Sequence, residues 1–168
     1  MRIPDTGLKP KSLETAKYMF LSQVGVMEYP ANSNRVKYND WYYGAPVSGK
    51  DYPWCVTFVE YVLNELCGFN MYRTASCRAL LDRYLAKAPQ QVVYSDFKPG
   101  DIVIFDFSGK KTTTQHMGWV LSVSDDGKYI NTIEGNTSST GSQDNGGAVL
   151  QQKREIWKVM VGIRIGYK

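Results

Sequence analysis

The sequence holds few of the residues on which thiol and imidazole chemistry depends: three cysteines and a single histidine among 168 residues. Cys55, Cys67 and Cys77 are odd in number and form no C-x-x-C pair, which argues against a disulfide scaffold and against a zinc knuckle. Reduced thiols are the simpler expectation, and no metal or cofactor is called for. Any Cys/His chemistry must pass through His116. Long hydrophobic runs are also missing, since nothing approaches the roughly 18 apolar residues of a spanning helix, so stable membrane insertion is not expected. The opening Met1 to Gly7 is polar and turn-rich, without the apolar run of a secretory signal, so export would need another route. Charge of one sign is weak as well. Twenty basic and sixteen acidic residues leave +4, and Lys and Arg are scattered among acids, so nucleic acid is not singled out as a partner.

What is present is a 43% hydrophobic chain long enough for one sizeable core. A single domain over residues 1–168 is expected, with a helical lead-in at 1–28 and the main body at 29–168. Ser12 can cap a helix running to about Val24, with Leu13, Ala16, Phe20 and Val24 at helical spacing before Gly25. Tyr29 to Tyr52 is rich in Asn, Ser, Gly and Tyr and reads as irregular backbone carrying aromatics. Pro53 then suits a first helical turn, and Cys55, Val59, Val62 and Leu66 form one stripe that ends at Gly68. A further helix is predicted from about Ser76 to Ala86. Beyond Pro89 the pattern becomes strand-like: Ile102 to Phe107, His116 to Leu121, Tyr129 to Glu134, Ala148 to Leu150 and Val159 to Ile165, with Asp125-Asp126-Gly127 as a tight turn. Gly135 to Gly147 reads as a mobile loop. Helices followed by an antiparallel sheet define an α+β fold.

Cys55 is placed in the first turn of its helix, where unpaired N–H groups and the positive dipole end stabilise a thiolate. An ordinary cysteine so placed can equally be a small buried hydrophobe. Cys67 and Cys77 are read that way. A nucleophile needs a base, and His116 is the side chain whose ordinary pKa lies near neutrality. Glu134 and Asn136, two positions apart, would share one face of an extended strand, and an antiparallel register through the Asp125 turn would bring them to His116.

Four blocks, in order, resemble one family. Trp54-Cys55-Val56-Thr57-Phe58-Val59 is similar to the nucleophile helix of CHAP domains, within the broader NlpC/P60 group of papain-like wall hydrolases. Lys98 to Phe105 resembles their turn and strand, Gln115 to Val120 the strand bearing the base, and Thr132 to Thr137 the strand with acid and amide. The resemblance implies a papain-like CHAP fold with N-terminal helices packed on an antiparallel sheet. It implies that Cys55 attacks, His116 accepts its proton, and Glu134, with Asn136, orients the ring. The chain departs from many members in carrying Trp54 where they have Gln, so no side chain is assigned to the oxyanion hole. The Cys55 backbone N–H is one donor by position and Tyr52 the conjectured second. Asp40 and Asp51 are too dispersed for the calcium cage of some phage members.

The implied activity is cleavage of an amide in bacterial peptidoglycan, with N-acetylmuramoyl-L-alanine amidase favoured over an endopeptidase such as a D-alanyl-glycyl one. Trp41, Tyr43, Tyr52, Trp54 and Trp119 offer flat surfaces for sugar or stem peptide. Two other classes compete: a non-catalytic wall-binding module of the same fold, and a cysteine enzyme acting on proteins. The implied setting is a bacteriophage endolysin, a monomer held in the host cytoplasm until it is released onto the wall.

Overall fold

The computed structural model describes residues 7–139 and 146–168. Ser12 starts the first helix as expected, its Oγ accepting the Thr15 amide at 3.1 Å, and α1 spans Leu13–Gln23. Its inward face is Ala16, Met19 and Phe20, whereas Leu13 and Val24 at the ends are each 38% exposed.

The stretch read as irregular contains a helix, α2 (Lys37–Tyr43), closed by Gly44 at φ 75°. After Lys37 its residues are weak helix formers, and tertiary contacts override that weakness. Tyr38 is fully buried, and the Asn39 amide donates to the Asn34 and Tyr52 carbonyls at 3.0 and 2.9 Å while its oxygen accepts from Thr57 at 2.9 Å. Asn39 thus ties the segment before α2, and the one after it, to the next helix.

That next helix, α3 (Cys55–Glu60), continues as one π-helical stretch, Tyr61–Leu66. Pro53 lies ahead of the cap residue Trp54, not inside the first turn. Helix α4 (Cys77–Lys87) is capped by Ser76, whose Oγ accepts the Ala79 amide at 3.1 Å.

The strands are β1 (Val92–Val93), β2 (Ile102–Phe105), β3 (His116–Val123), β4 (Tyr129–Thr137), β5 (Ala148–Glu155) and β6 (Val159–Ile163). They form one antiparallel sheet in the order β1-β6-β2-β3-β4-β5. Strand alternation divides the apolar residues between two faces. Met117, Trp119 and Ile133 join Phe20, Phe58 and Leu63 in the core shared with the helices. Val103, Phe105, Val120, Ile130 and Val159 form a second, smaller core on the other face. Helices over one face of an antiparallel sheet make this an α+β fold.

Of the segment predicted as a loop, residues 135–137 belong to β4 and 146–147 lead into β5; residues 140–145 lie outside the described part. Strand β5 also runs five residues past Leu150.

Candidate active site

Strand β2 stops at Phe105, two residues short of the predicted end, because Asp106 turns the chain. Its carboxylate accepts from the Ser108 hydroxyl at 2.5 Å and from the amides of Ser108, Thr112 and Thr113 at 3.0, 2.9 and 3.1 Å, which holds it well below the usual carboxylate range. The loop so gathered delivers His116 as the first residue of β3, opposite Phe105 in the β2 register.

Helix α3 packs against β3 and β4, with its first residue, Cys55, beside the first two residues of β3. The Cys55 thiol lies within hydrogen-bonding reach of His116 and of the Met117 backbone amide. On its far side the ring meets Glu134, with His116 Nε2 and Glu134 Oε1 2.8 Å apart. The structure therefore brings Cys55, His116 and Glu134 into one chain of contacts. Cys55 is 7% exposed, against 1% for His116 and none for Glu134, so the nucleophile is the most accessible member of a buried set.

The electrostatics favour an ion pair. The neighbouring Cys77 thiol, together with the hydrogen bond and charge of His116, holds the Cys55 thiol well below its ordinary range, against burial. Burial opposes charge on His116, but the Glu134 carboxylate and the bond to Cys55 outweigh it and raise the ring to about 9. Burial likewise opposes charge on Glu134, but Arg154 and His116 hold it down at about 2. The shifts all favour the charged forms, thiolate, imidazolium and carboxylate beside the Arg154 guanidinium, and opposite charges in alternation are how such a set is tolerated out of water.

Two members of this set were not foreseen. Cys77, expected to be a simple core residue, opens α4 and touches the nucleophile; Cys55 and Cys77 are both buried, free thiols. Arg154 comes from β5, where an alternating polar run carried no hint of its long-range partner.

Asn136 departs from its expected place. The β4–β5 register shifts between Glu134 and Thr137, and Asn136 has φ 53°, so the two-residue alternation that would align it with Glu134 is broken there. It is buried at 4% exposure beside the tight approach of Gly146, where an added Cβ would stand 2.3 Å from the Asn136 carbonyl.

The aromatic surface needs correction at two positions. Trp54 is fully buried, stacked on Tyr38 at 5.7 Å, with its indole N–H donating to Glu28 at 3.1 Å. Trp119 is stacked on Phe20 at 4.4 Å and donates to the Tyr167 hydroxyl at 2.9 Å. Both side chains are walls of the core and have no face left for a ligand. Trp41 is half-buried, with the Arg73 guanidinium over its ring at 4.1 Å. Tyr43 and Tyr52 meet edge to face at 5.1 Å, and Tyr43 is exposed. Among the described residues no cluster of three or more His, Cys, Asp or Glu side chains is arranged to hold a metal, and no helix is long and apolar enough to cross a membrane.

This architecture has solved counterparts. The crystal structure of a wild-type endolysin, LysIME-EF1, superposes with a TM-score of 0.61 at 15% identity, covering 94% of this chain and 65% of that one. The crystal structure of Ly7917 superposes with a TM-score of 0.52 at 12% identity, covering 92% and 62%. The chain thus spans just under two thirds of the length of each, and at such identities the likeness is one of fold. No curated protein matches the sequence. The CHAP domain family matches residues 47–136, more than half of the chain and a span that holds Cys55, His116, Glu134 and Asn136. The chain belongs to the CHAP domain family.

Proposed function

We propose that this protein is a cysteine-dependent hydrolase of bacterial peptidoglycan, cutting an amide bond with Cys55 as nucleophile and His116 as acid and base. The observation that carries the reading is the buried Cys55, His116 and Glu134 chain, with the 2.8 Å contact between ring and carboxylate, in a member of the CHAP family. In the first half-reaction the Cys55 thiolate adds to the amide carbonyl, and the imidazolium of His116 gives its proton to the departing amine. In the second, neutral His116 takes a proton from water, which releases the acid product from the thioester. Glu134 favours the imidazolium throughout. The Cys55 amide, at the open end of α3, and Tyr52 are the proposed oxyanion donors. Tyr43 and Tyr52 form the proposed stacking surface for glycan or stem peptide.

N-acetylmuramoyl-L-alanine amidase is the favoured bond specificity, with endopeptidase the alternative. Mass spectrometry of digested walls separates them: intact stem peptides are released by an amidase, and new peptide N-termini appear with an endopeptidase. The likeness in fold to an endolysin is consistent with a phage lysin; that it works as a monomer, made in the host cytoplasm and released onto the wall, is a further part of the proposal. The test is clearing of purified Gram-positive walls, in solution and in zymograms. The wild type should clear them and Cys55→Ala should not; a Cys55→Ala protein that clears at the wild-type rate refutes the proposal.

A further inference from the structure

Glu134 is fully buried, and every polar contact to its carboxylate is assigned to a particular oxygen. Oε1 meets His116 Nε2 at 2.8 Å and Arg154 Nη2 at 2.5 Å. Oε2 accepts from Arg154 Nε at 2.9 Å and from the Thr132 hydroxyl at 2.5 Å. The guanidinium therefore grips both oxygens as a fork, a geometry that lysine cannot reproduce. Arg154 is itself only 10% exposed at its side chain.

The fork is held at a distance. Arg154 pairs in register with Ile130, four residues along β4 from Glu134, so its side chain must run along the face of the sheet to reach the carboxylate. Phe105 and Phe107 line that route, with the guanidinium 5.6 and 5.1 Å from their ring centres. The same two rings flank His116, each at 6.2 Å. One aromatic wall thus supports both partners of the carboxylate.

We propose that Arg154 is a positioning residue for the hydrolysis, holding the Glu134 carboxylate turned so that Oε1 presents itself to His116 Nε2. Arg154 lies outside residues 47–136, so membership of the family does not by itself assign it. The inference deepens the hydrolase reading and rests on it for its kinetic arm. The charged groups facing Glu134 are His116 from β3 and Arg154 from β5, with Cys55 of α3 beyond the ring; Thr132, Phe105 and Phe107 are neutral. Without Arg154, a buried carboxylate would face a single cation, and burial would draw it toward protonation in the acidic part of the working range. A protonated Glu134 no longer favours the imidazolium, so the ion pair with Cys55 weakens from the acid side.

The test compares Arg154→Met, which keeps an apolar stem over the rings, with Arg154→Lys, which keeps the charge and loses the fork. Two profiles are measured from pH 5 to 10: kcat/KM for wall clearing, and the rate of Cys55 alkylation by iodoacetamide, read by peptide mass spectrometry. In Arg154→Met the acid limb of both should move up by about one pH unit or more, a roughly ten-fold loss one unit below the new limb. The alkaline limb should not fall. Arg154→Lys should restore the limb in part while kcat at the optimum stays below wild type. Wild-type limbs in folded Arg154→Met, or an equal loss at every pH, overturn the proposal; if Arg154→Met does not fold, a wild-type kcat in Arg154→Lys overturns it. A wild-type protein that clears no wall, but whose alkylation limb shifts in Arg154→Met, rejects the hydrolase reading and keeps Arg154 as the residue that positions Glu134 against His116.

Discussion

Glu134→Gln probes the charge balance of the site directly, because it removes a full negative charge 2.8 Å from His116 Nε2 and leaves an oxygen in its place. Two magnitudes set the expectation. A ring raised from 6.5 to about 9 prefers its proton by about 3 kcal/mol more than a free imidazole does. Coulomb attraction across 2.8 Å at an effective dielectric of about 20 is roughly 6 kcal/mol. The carboxylate alone can therefore supply the net preference and offset the burial that opposes it. With glutamine, burial acts without its main counterweight. The Arg154 guanidinium, no longer neutralised, pushes the ring the same way.

The alkaline limb of kcat/KM should accordingly move from about 9 to about 7 or lower in Glu134→Gln. The direction follows from the sign: the limb marks loss of the imidazolium that protonates the leaving amine, and that proton leaves more easily once the anion is gone. Wall clearing followed by turbidity from pH 5 to 10 reads the limb, with circular dichroism to confirm that the variant is folded. A folded variant whose alkaline limb stays within about half a pH unit of wild type would refute the assignment of Glu134 as the group that charges His116.

Three further substitutions test other contacts. Cys77→Ala removes the thiol beside the nucleophile, so Cys55 should label more slowly with iodoacetamide at pH 6, and Cys77→Ser should recover part of the rate; equal rates in all three proteins would remove Cys77 from the site. Gly118→Ala places a Cβ 3.0 Å from Glu134 Cγ and 3.3 Å from Thr132 Cβ, so it should lower stability by about 1–3 kcal/mol and depress activity further by displacing the carboxylate; thermal unfolding with kinetics checks both. Glu60 is fully buried, its Oε1 accepts the Thr74 amide at 2.9 Å, its Oε2 has no hydrogen-bond partner among the described residues, and burial raises it to about 8. An acid raised in the folded state costs nothing below its ordinary 4.5 and progressively more as pH climbs through 8, about 5 kcal/mol at the limit. Glu60→Gln should therefore raise the unfolding temperature at pH 8.5 and leave it nearly unchanged at pH 4.5, and an equal effect at both would contradict the buried-acid reading.

The parts of this site that could be read from sequence are those set by local rules, and the parts that could not are those set by partners far along the chain. A capping serine, a turn at Asp125-Asp126-Gly127 and apolar alternation are written within a few residues, so α1, α4 and the β3–β4 hairpin were legible, and with them the convergence of His116 and Glu134. Helix α2 was not, because it is stabilised by Asn39 bonding to residues up to 18 positions away. The aromatics misled for a related reason: composition marks Trp54 and Trp119 as ligand-sized surfaces, but only the fold shows that Tyr38 and Phe20 already cover them. Asn136 shows the limit of periodicity itself, since one bulge reverses the facing of every residue beyond it. Arg154 and Cys77 are the informative cases. Each looks ordinary in its own segment, a strand arginine and a helix-start cysteine, and each acquires a role only because the sheet or the helix pair sets it against a charged group. A buried ion pair must be neutralised by something, so the thiolate, imidazolium and carboxylate legible as a triad already implied a fourth, cationic partner. The physics of burial demanded that partner, and the β4–β5 register determined that Arg154 would be the one to supply it.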